Sequence, residues 1–307
     1  MITYIGNKVF ATLIVLLGVS VVSFLILELV PGDPVQVMLG QSGASAAQMT
    51  QLRHQLGLDQ PIYLQYWRFL SHAVRGDLGT SIVQQQPVVQ LIIEQLPATI
   101  ELTVAGMGVA IVMGITTGVV AAIRPNSLVD SAIMIVATIG VAVPSFWLAL
   151  LLILAFAVAV HWLPAAGGEG LSHLILPAIT LGFGTAAVIA RLTRSSMLDI
   201  LSQDYIVTAR AKGLPQRIVV YRHALKNALI PIITVVGLQF GTLLSGAVII
   251  ETVFARPGIG RLAVDAILNK DYPLVQGTIL VAAAAYVLAN LAVDLLYGVV
   301  DPRMRHE

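Results

Sequence analysis

Six long apolar stretches run through this chain of 307 residues, and they leave it few folds. They are Val9–Val30, Ala98–Ile123, Ser131–Val160, Leu174–Ala190, Ala228–Ile250 and Tyr272–Val293. A bilayer core about 30 Å thick is crossed by roughly 20 apolar residues of helix, so each stretch is predicted to be a span. Ser131–Val160 holds no charge and is long enough for a tilted span plus a turn, with Pro144 placed to bend it. Leu174–Ala190 is the shortest and contains Pro177, Gly182 and Gly184. Charged residues make up only 11% of the chain, against about 25% in soluble domains. Lipid is the solvent such a surface needs. The first stretch exceeds the ~7–15 residues of a secretory h-region. It also runs into Pro31-Gly32-Asp33-Pro34, which is not a small-residue cleavage site, so it reads as a retained span.

Lys and Arg positions orient the chain. With the N-terminus inside, the inner segments hold Lys8, Arg124, the basic run from Arg191 to Lys226, and Arg303 with Arg305. The outer segments hold only Arg53, Arg68, Arg75, Arg256, Arg261 and Lys270, spread over more residues. Both termini are therefore expected in the cytoplasm. Three parts follow: residues 1–30 with the first span, an extracytoplasmic insertion over 31–97, and a core over 98–307 that includes a cytoplasmic loop at 191–227. Within the insertion, Ser45 and Gln48 fit a capping box and Gly57 a C-terminal cap, which predicts a short helix. In the loop, Gly213-Leu214-Pro215 predicts helix, break, helix.

Catalysis finds no support in the sequence. It has no G-x-x-x-x-G-K-[ST] phosphate loop, no H-E-x-x-H and no G-x-S-x-G. Cys is absent, which removes thiolate metal sites and Cys nucleophiles. Nothing points to nucleic acid. Glu28, Glu101, Asp130, Glu251 and Asp294 fall near the predicted ends of spans and form no ladder across the bilayer, which weakens an ion-coupled carrier. His161 and Trp162 read as an interfacial anchor. Gly114-x-x-x-Gly118 and Gly237-x-x-x-Gly241 have the spacing that lets helix backbones approach closely.

The inner segment reads Asp204-Tyr205-Ile206-Val207-Thr208-Ala209-Arg210-Ala211-Lys212-Gly213-Leu214-Pro215. It resembles the EAA loop of ABC importer permeases, in the form found in the dipeptide, oligopeptide and nickel family. Further similarities run in order along the chain: Val30-Pro31-Gly32-Asp33-Pro34, Leu56-Gly57-Leu58-Asp59-Gln60-Pro61, Gly76-Asp77-Leu78-Gly79, Trp162-Leu163-Pro164, Glu251-Thr252-Val253-Phe254-Ala255-Arg256-Pro257-Gly258-Ile259-Gly260, and Asp301-Pro302-Arg303. The resemblance implies an all-α membrane protein with the six-span permease fold of type I importers. It implies a bacterial inner-membrane subunit that forms a pore for di- or oligopeptides or similar solutes, with nickel complexes as the alternative cargo. A second homologous permease, two ATPases or one fused ATPase, and an extracytoplasmic substrate-binding protein would be its partners, beside membrane lipid. No cofactor is expected in this chain, ATP and magnesium lying in the ATPases.

By the same resemblance, Asp204, Tyr205, Thr208, Ala209, Arg210, Ala211, Lys212, Gly213 and Leu214 would couple to the ATPase. Small Ala209 and Ala211 would permit close contact, Gly213 the chain reversal, and Arg210 and Lys212 would offer charge. Glu251, Thr252, Phe254, Pro257, Gly258 and Gly260 would form the family's outer signature. The acidic residue six positions before the loop glycine is here Val207; Asp204 is the nearest acid. Pore-lining residues cannot be separated from packing ones by pattern.

Overall fold

The computed structural model describes residues 2–29, 46–56, 59–168 and 170–300. Among them the chain is helical: α1 (Ile2–Leu29), α2 (Ala46–Leu56), α3 (Ile62–Val74), α4 (Val88–Ile123), α5 (Leu128–Ala142), α6 (Ser145–Ala159), α7 (Ser172–Leu201), α8 (Asp204–Ala211), α9 (Gln216–Val253), α10 (Ile259–Leu268) and α11 (Tyr272–Val300). Five of these are long and apolar enough to cross a membrane, and the pair α5–α6, bent by 112°, makes a sixth if counted as one span. The bend falls at Pro144, whose ring cannot continue the helix of α5 and whose fixed φ instead starts α6. From Ile153, α6 is wound as π-helix, and α9 has a similar stretch at Val219–Leu225.

The chain divides into two compact units, Met1–Pro97 with Gly258–Leu291, and Ala98–Pro257 with Ala292–Glu307. In the first, Val88, Leu91, Ile92, Ile259, Ala266, Leu274 and Val275 bury one another. Asp271 ties the loop before α4 to the start of α11. Its carboxylate accepts hydrogen bonds from Ser81 Oγ at 2.5 Å and from the amides of Ile82 and Val83. α3 meets α1 through Tyr66, whose hydroxyl lies 2.8 Å from Ser20 Oγ and whose ring stands edge-on to Phe24. The turn after α3 is closed by Asp77; the Gly79 amide and the His72 ring hold its carboxyl below the usual carboxylate range. Ser45, Gly57, Pro31–Pro34 and Asp301–Arg303 lie outside the described residues.

In the second unit α7 is central: 61% of its most apolar window is buried, against 17% for α1 in the other unit. It packs on α5, α6 and α9. Glycines let α4 approach it. A Cβ on Gly114 would meet Ile189 and the Ala186 carbonyl, one on Gly118 would meet Thr193 and the Ala190 carbonyl, and one on Gly182 would run into the Gly106 carbonyl. The Gly114–Gly118 spacing is thus a helix-packing seam, as its sequence implies. Replacing Gly182 by Val is expected to destabilise the chain by about 3 kcal/mol, because backbone on both sides must separate. Gly108, with open space around it, is the control. Gly108→Ala should be neutral or gain up to ~1 kcal/mol from helix propensity. Thermal unfolding midpoints in one detergent would separate the two variants, and equal midpoints would refute the seam.

The helix containing Glu101 begins at Val88 and passes through Pro97, ten residues before the start at Ala98 that the apolar pattern predicts. Burial of Val88, Leu91 and Ile92 holds this first part helical, which offsets the hydrogen bond the proline removes. Glu101 is therefore inside a helix and not near its start. α7 likewise runs on past Ala190 to Leu201.

Candidate functional site

The segment from Asp204 to Leu214 is a short helix, a reversal and the start of a second helix. Gln203 is extended, with ψ 147°, and breaks the chain from α7; α8 follows with Asp204 in its first turn, where the helix dipole favours an acid. Thr208 Oγ1 donates back to the Asp204 carbonyl at 2.9 Å. The C-terminal end turns at Gly213, whose φ of +76° suits a residue without Cβ. Its amide bonds to the Arg210 carbonyl, and the Leu214 amide to that of Ala209. Pro215 then opens α9. Helix, break, helix is what the sequence pattern predicts here.

α8 has two dissimilar faces. Ile206 is fully buried and Ala209 nearly so, in a cluster with Val119, Met197, Val219 and Val220. Asp204, Val207, Thr208 and Ala211, at positions i, i+3, i+4 and i+7, form an exposed stripe. Arg210, Lys212, Gly213 and Leu214 are exposed as well. Arg210 and Lys212 form no ion pair among the described residues. Tyr205, half exposed, accepts a hydrogen bond from Asn227 Nδ2 at 2.9 Å, which joins α8 to α9. Of the two alanines proposed from the sequence as contact points, only Ala211 is exposed. The small side chain of Ala209 serves the packing of α8 onto its own chain.

The outer signature starts with Glu251 and Thr252 in the last turn of α9 and runs on past its end, so roughly 50 Å of helix at 1.5 Å per residue separates it from α8. The structure does not bring the two groups together. Glu251 is fully buried and accepts from Thr99 Oγ1 at 2.6 Å. Phe254 is buried, and its carbonyl accepts from the Gly167 amide. Thr252 is exposed and bonds back to the Val248 carbonyl. Pro257 abuts Gly168, where no side chain would fit. Gly258 and Gly260 belong to the other compact unit, where Gly258 precedes α10 in extended backbone, φ 164°.

Two ion pairs escape sequence reading. Arg256 is 1% exposed and donates Nη2 to Glu101 Oε2 at 2.5 Å, while its Nε and Nη1 are buried with no hydrogen-bond partner among the described residues. Arg194 on α7 holds Asp130 on α5 by two hydrogen bonds, Nε to Oδ1 at 2.5 Å and Nη2 to Oδ2 at 2.6 Å. Asp130 Oδ2 also accepts the Asn126 amide, and Ser127 Oγ caps α5 by accepting the Asp130 amide. The only local signal was Ser127-x-x-Asp130, a cap pattern that says nothing of Arg194.

Comparison with known proteins covers both halves. Residues 114–306 match the family described as binding-protein-dependent transport system inner membrane component, and residues 1–103 match its N-terminal family. The chain is 43% identical to the glutathione transport system permease protein GsiC of Escherichia coli K12, over the full length of both. It is 44% identical to the dipeptide transport system permease protein DppB of Alkalihalophilus pseudofirmus, again over both full lengths. Among solved structures, the inward-facing methionine ABC transporter MetNI contains a chain with the same fold, at a TM-score of 0.55 and 20% identity. The match covers 69% of this chain and 97% of that one.

Proposed function

Since this chain belongs to the inner-membrane components of binding-protein-dependent transport systems, and so is a permease subunit of an ABC importer, we propose that it conducts short peptides and is driven through the exposed stripe of α8. The support for the substrate class is 43% and 44% identity, over full lengths, to two permeases named for glutathione and for a dipeptide. Both are short peptides. Peptide-sized nickel complexes are the second reading, favoured only by the resemblance of the loop.

For the drive, the support is the shape of α8. One face is locked into its own chain, while Asp204, Val207, Thr208 and Ala211 are free to meet another. In this proposal ATP closes a pair of ATPase domains, in separate chains or one fused chain. They push on α8 and α9 and so switch the pore between its inward-open and outward-open states. A ligand shifts such an equilibrium only by what it binds differently in the two states, and α8 is where that difference is transmitted. A second permease completes the pore, a substrate-binding protein docks on the side of residues 31–97, and both termini face the cytoplasm.

The test is purification of the tagged chain in mild detergent, with mass spectrometry of what co-elutes, then peptide uptake by proteoliposomes. P-loop ATPases, a second permease and uptake that needs ATP are expected. Uptake by this chain alone without ATP would overturn the proposal in favour of an ion-coupled carrier.

A further inference from the structure

We propose that a groove among α4, α5 and α7 holds one acyl chain of an anionic phospholipid, with the headgroup at Arg124. The groove is a cavity of about 220 Å³ lined by Met113 and Thr117 of α4, Val136 of α5, and Phe183, Ala187 and Ala190 of α7, with four further residues, all Ala or Ile. That exceeds the ~150 Å³ cavity that stays dry and takes up benzene in an engineered protein. Its single polar side chain, Thr117, is already satisfied, donating to the Met113 carbonyl at 2.6 Å. The walls therefore suit hydrocarbon and offer water no partner.

Charge selects the lipid. On α4, Met113, Thr117, Val120 and Arg124 follow one another at i, i+4, i+7 and i+11, a single stripe that ends in a guanidinium one residue past the helix. On α7, Phe183, Ala187, Ala190 and Arg194 repeat that spacing. Both lining stripes thus end in an arginine on the same side of the cavity. Asp130 fixes these ends together, one carboxylate oxygen reaching both Arg194 and the amide of Asn126, two residues from Arg124. Arg194 is neutralised by that contact. Arg124, and Arg191 one residue past Ala190 of the lining, are exposed and form no ion pair among the described residues. The lining stops at Ala190, next to Arg191, and at Thr117, about 10 Å of helix short of Arg124, so an acyl chain in the slot would carry its phosphate toward uncompensated guanidinium groups.

The assembled importer, reconstituted in nanodiscs of equal parts phosphatidylglycerol and phosphatidylcholine and released for native mass spectrometry, tests this. The wild type should retain phosphatidylglycerol in preference to phosphatidylcholine by about tenfold, an energy of roughly 1.4 kcal/mol. Arg124→Gln should lose the preference while keeping the complex intact. Ala132→Phe, which fills the groove from its exposed side, should lose the retained lipid altogether. Equal retention of both lipids by the wild type, or a preference untouched by both variants, would overturn the proposal. So would a photo-crosslink from Ala132→benzoylphenylalanine to the second permease, which would give the groove to a protein contact instead.

Discussion

Peptide uptake driven by ATP is expected to fall at least about tenfold in Ala211→Trp, with the amount of chain in the membrane unchanged. Ala211 ends the exposed stripe of α8 and touches no core, so the indole has room in the isolated chain. It has none in a close-fitting partner groove, and one misfitting residue within a close-packed interface costs more than ~1.4 kcal/mol, the energy of a tenfold change. Val207→Arg should act alike, two turns of the stripe being covered together. The matched control is Ile206→Ala, which removes buried volume. It should lower the unfolding midpoint, by about 2–5 kcal/mol of stability, and reduce uptake only through lost protein. If Ala211→Trp transports normally while co-purifying its ATPases, α8 is not the coupling element.

The second large effect is expected at Asp130. Asp130→Ala leaves Arg194, 26% exposed, without its carboxylate and frees the Asn126 amide. A fully enclosed pair broken on one side costs about 3–5 kcal/mol. Arg194 retains some access to water, so about 2–3 kcal/mol is expected here. The Asp130, Arg194 double-mutant cycle, read by thermal unfolding in detergent, should give a coupling energy above about 1 kcal/mol. A value near zero would mean that Ser127 and the helix packing hold α5 in place unaided.

What the sequence made legible follows from the range of each interaction. Crossing a bilayer requires some twenty apolar residues in a row, and such a run is visible without knowing what it packs against. The reversal at Gly213-Leu214-Pro215 was legible for the same reason, since backbone preference is local. The start of α4 was not, because Val88–Pro97 owes its helical form to Ile259, Leu274 and Val275, which lie far along the chain. Nor were the ion pairs: 64 residues separate Asp130 from Arg194 and 155 separate Glu101 from Arg256. Ala209 shows the same limit within one helix. A small residue fits a crowded core and a close external contact equally well, and only burial distinguishes them.

The bend at Pro144 bears on how the third segment matches the thickness of its membrane. Laid straight, thirty residues of helix would extend ~45 Å, well beyond a hydrocarbon core of about 30 Å. Folded by 112° into two halves, the same residues span only about 25 Å end to end. A straight segment would have to tilt steeply or thicken the bilayer around it, whereas the angled one shortens itself by geometry and leaves a slight deficit. For the segment taken as one span, hydrophobic mismatch therefore changes sign. The transporter should tolerate short-chain lipids better than long-chain ones, and rising acyl length should act first on the two half-helices that meet at Pro144.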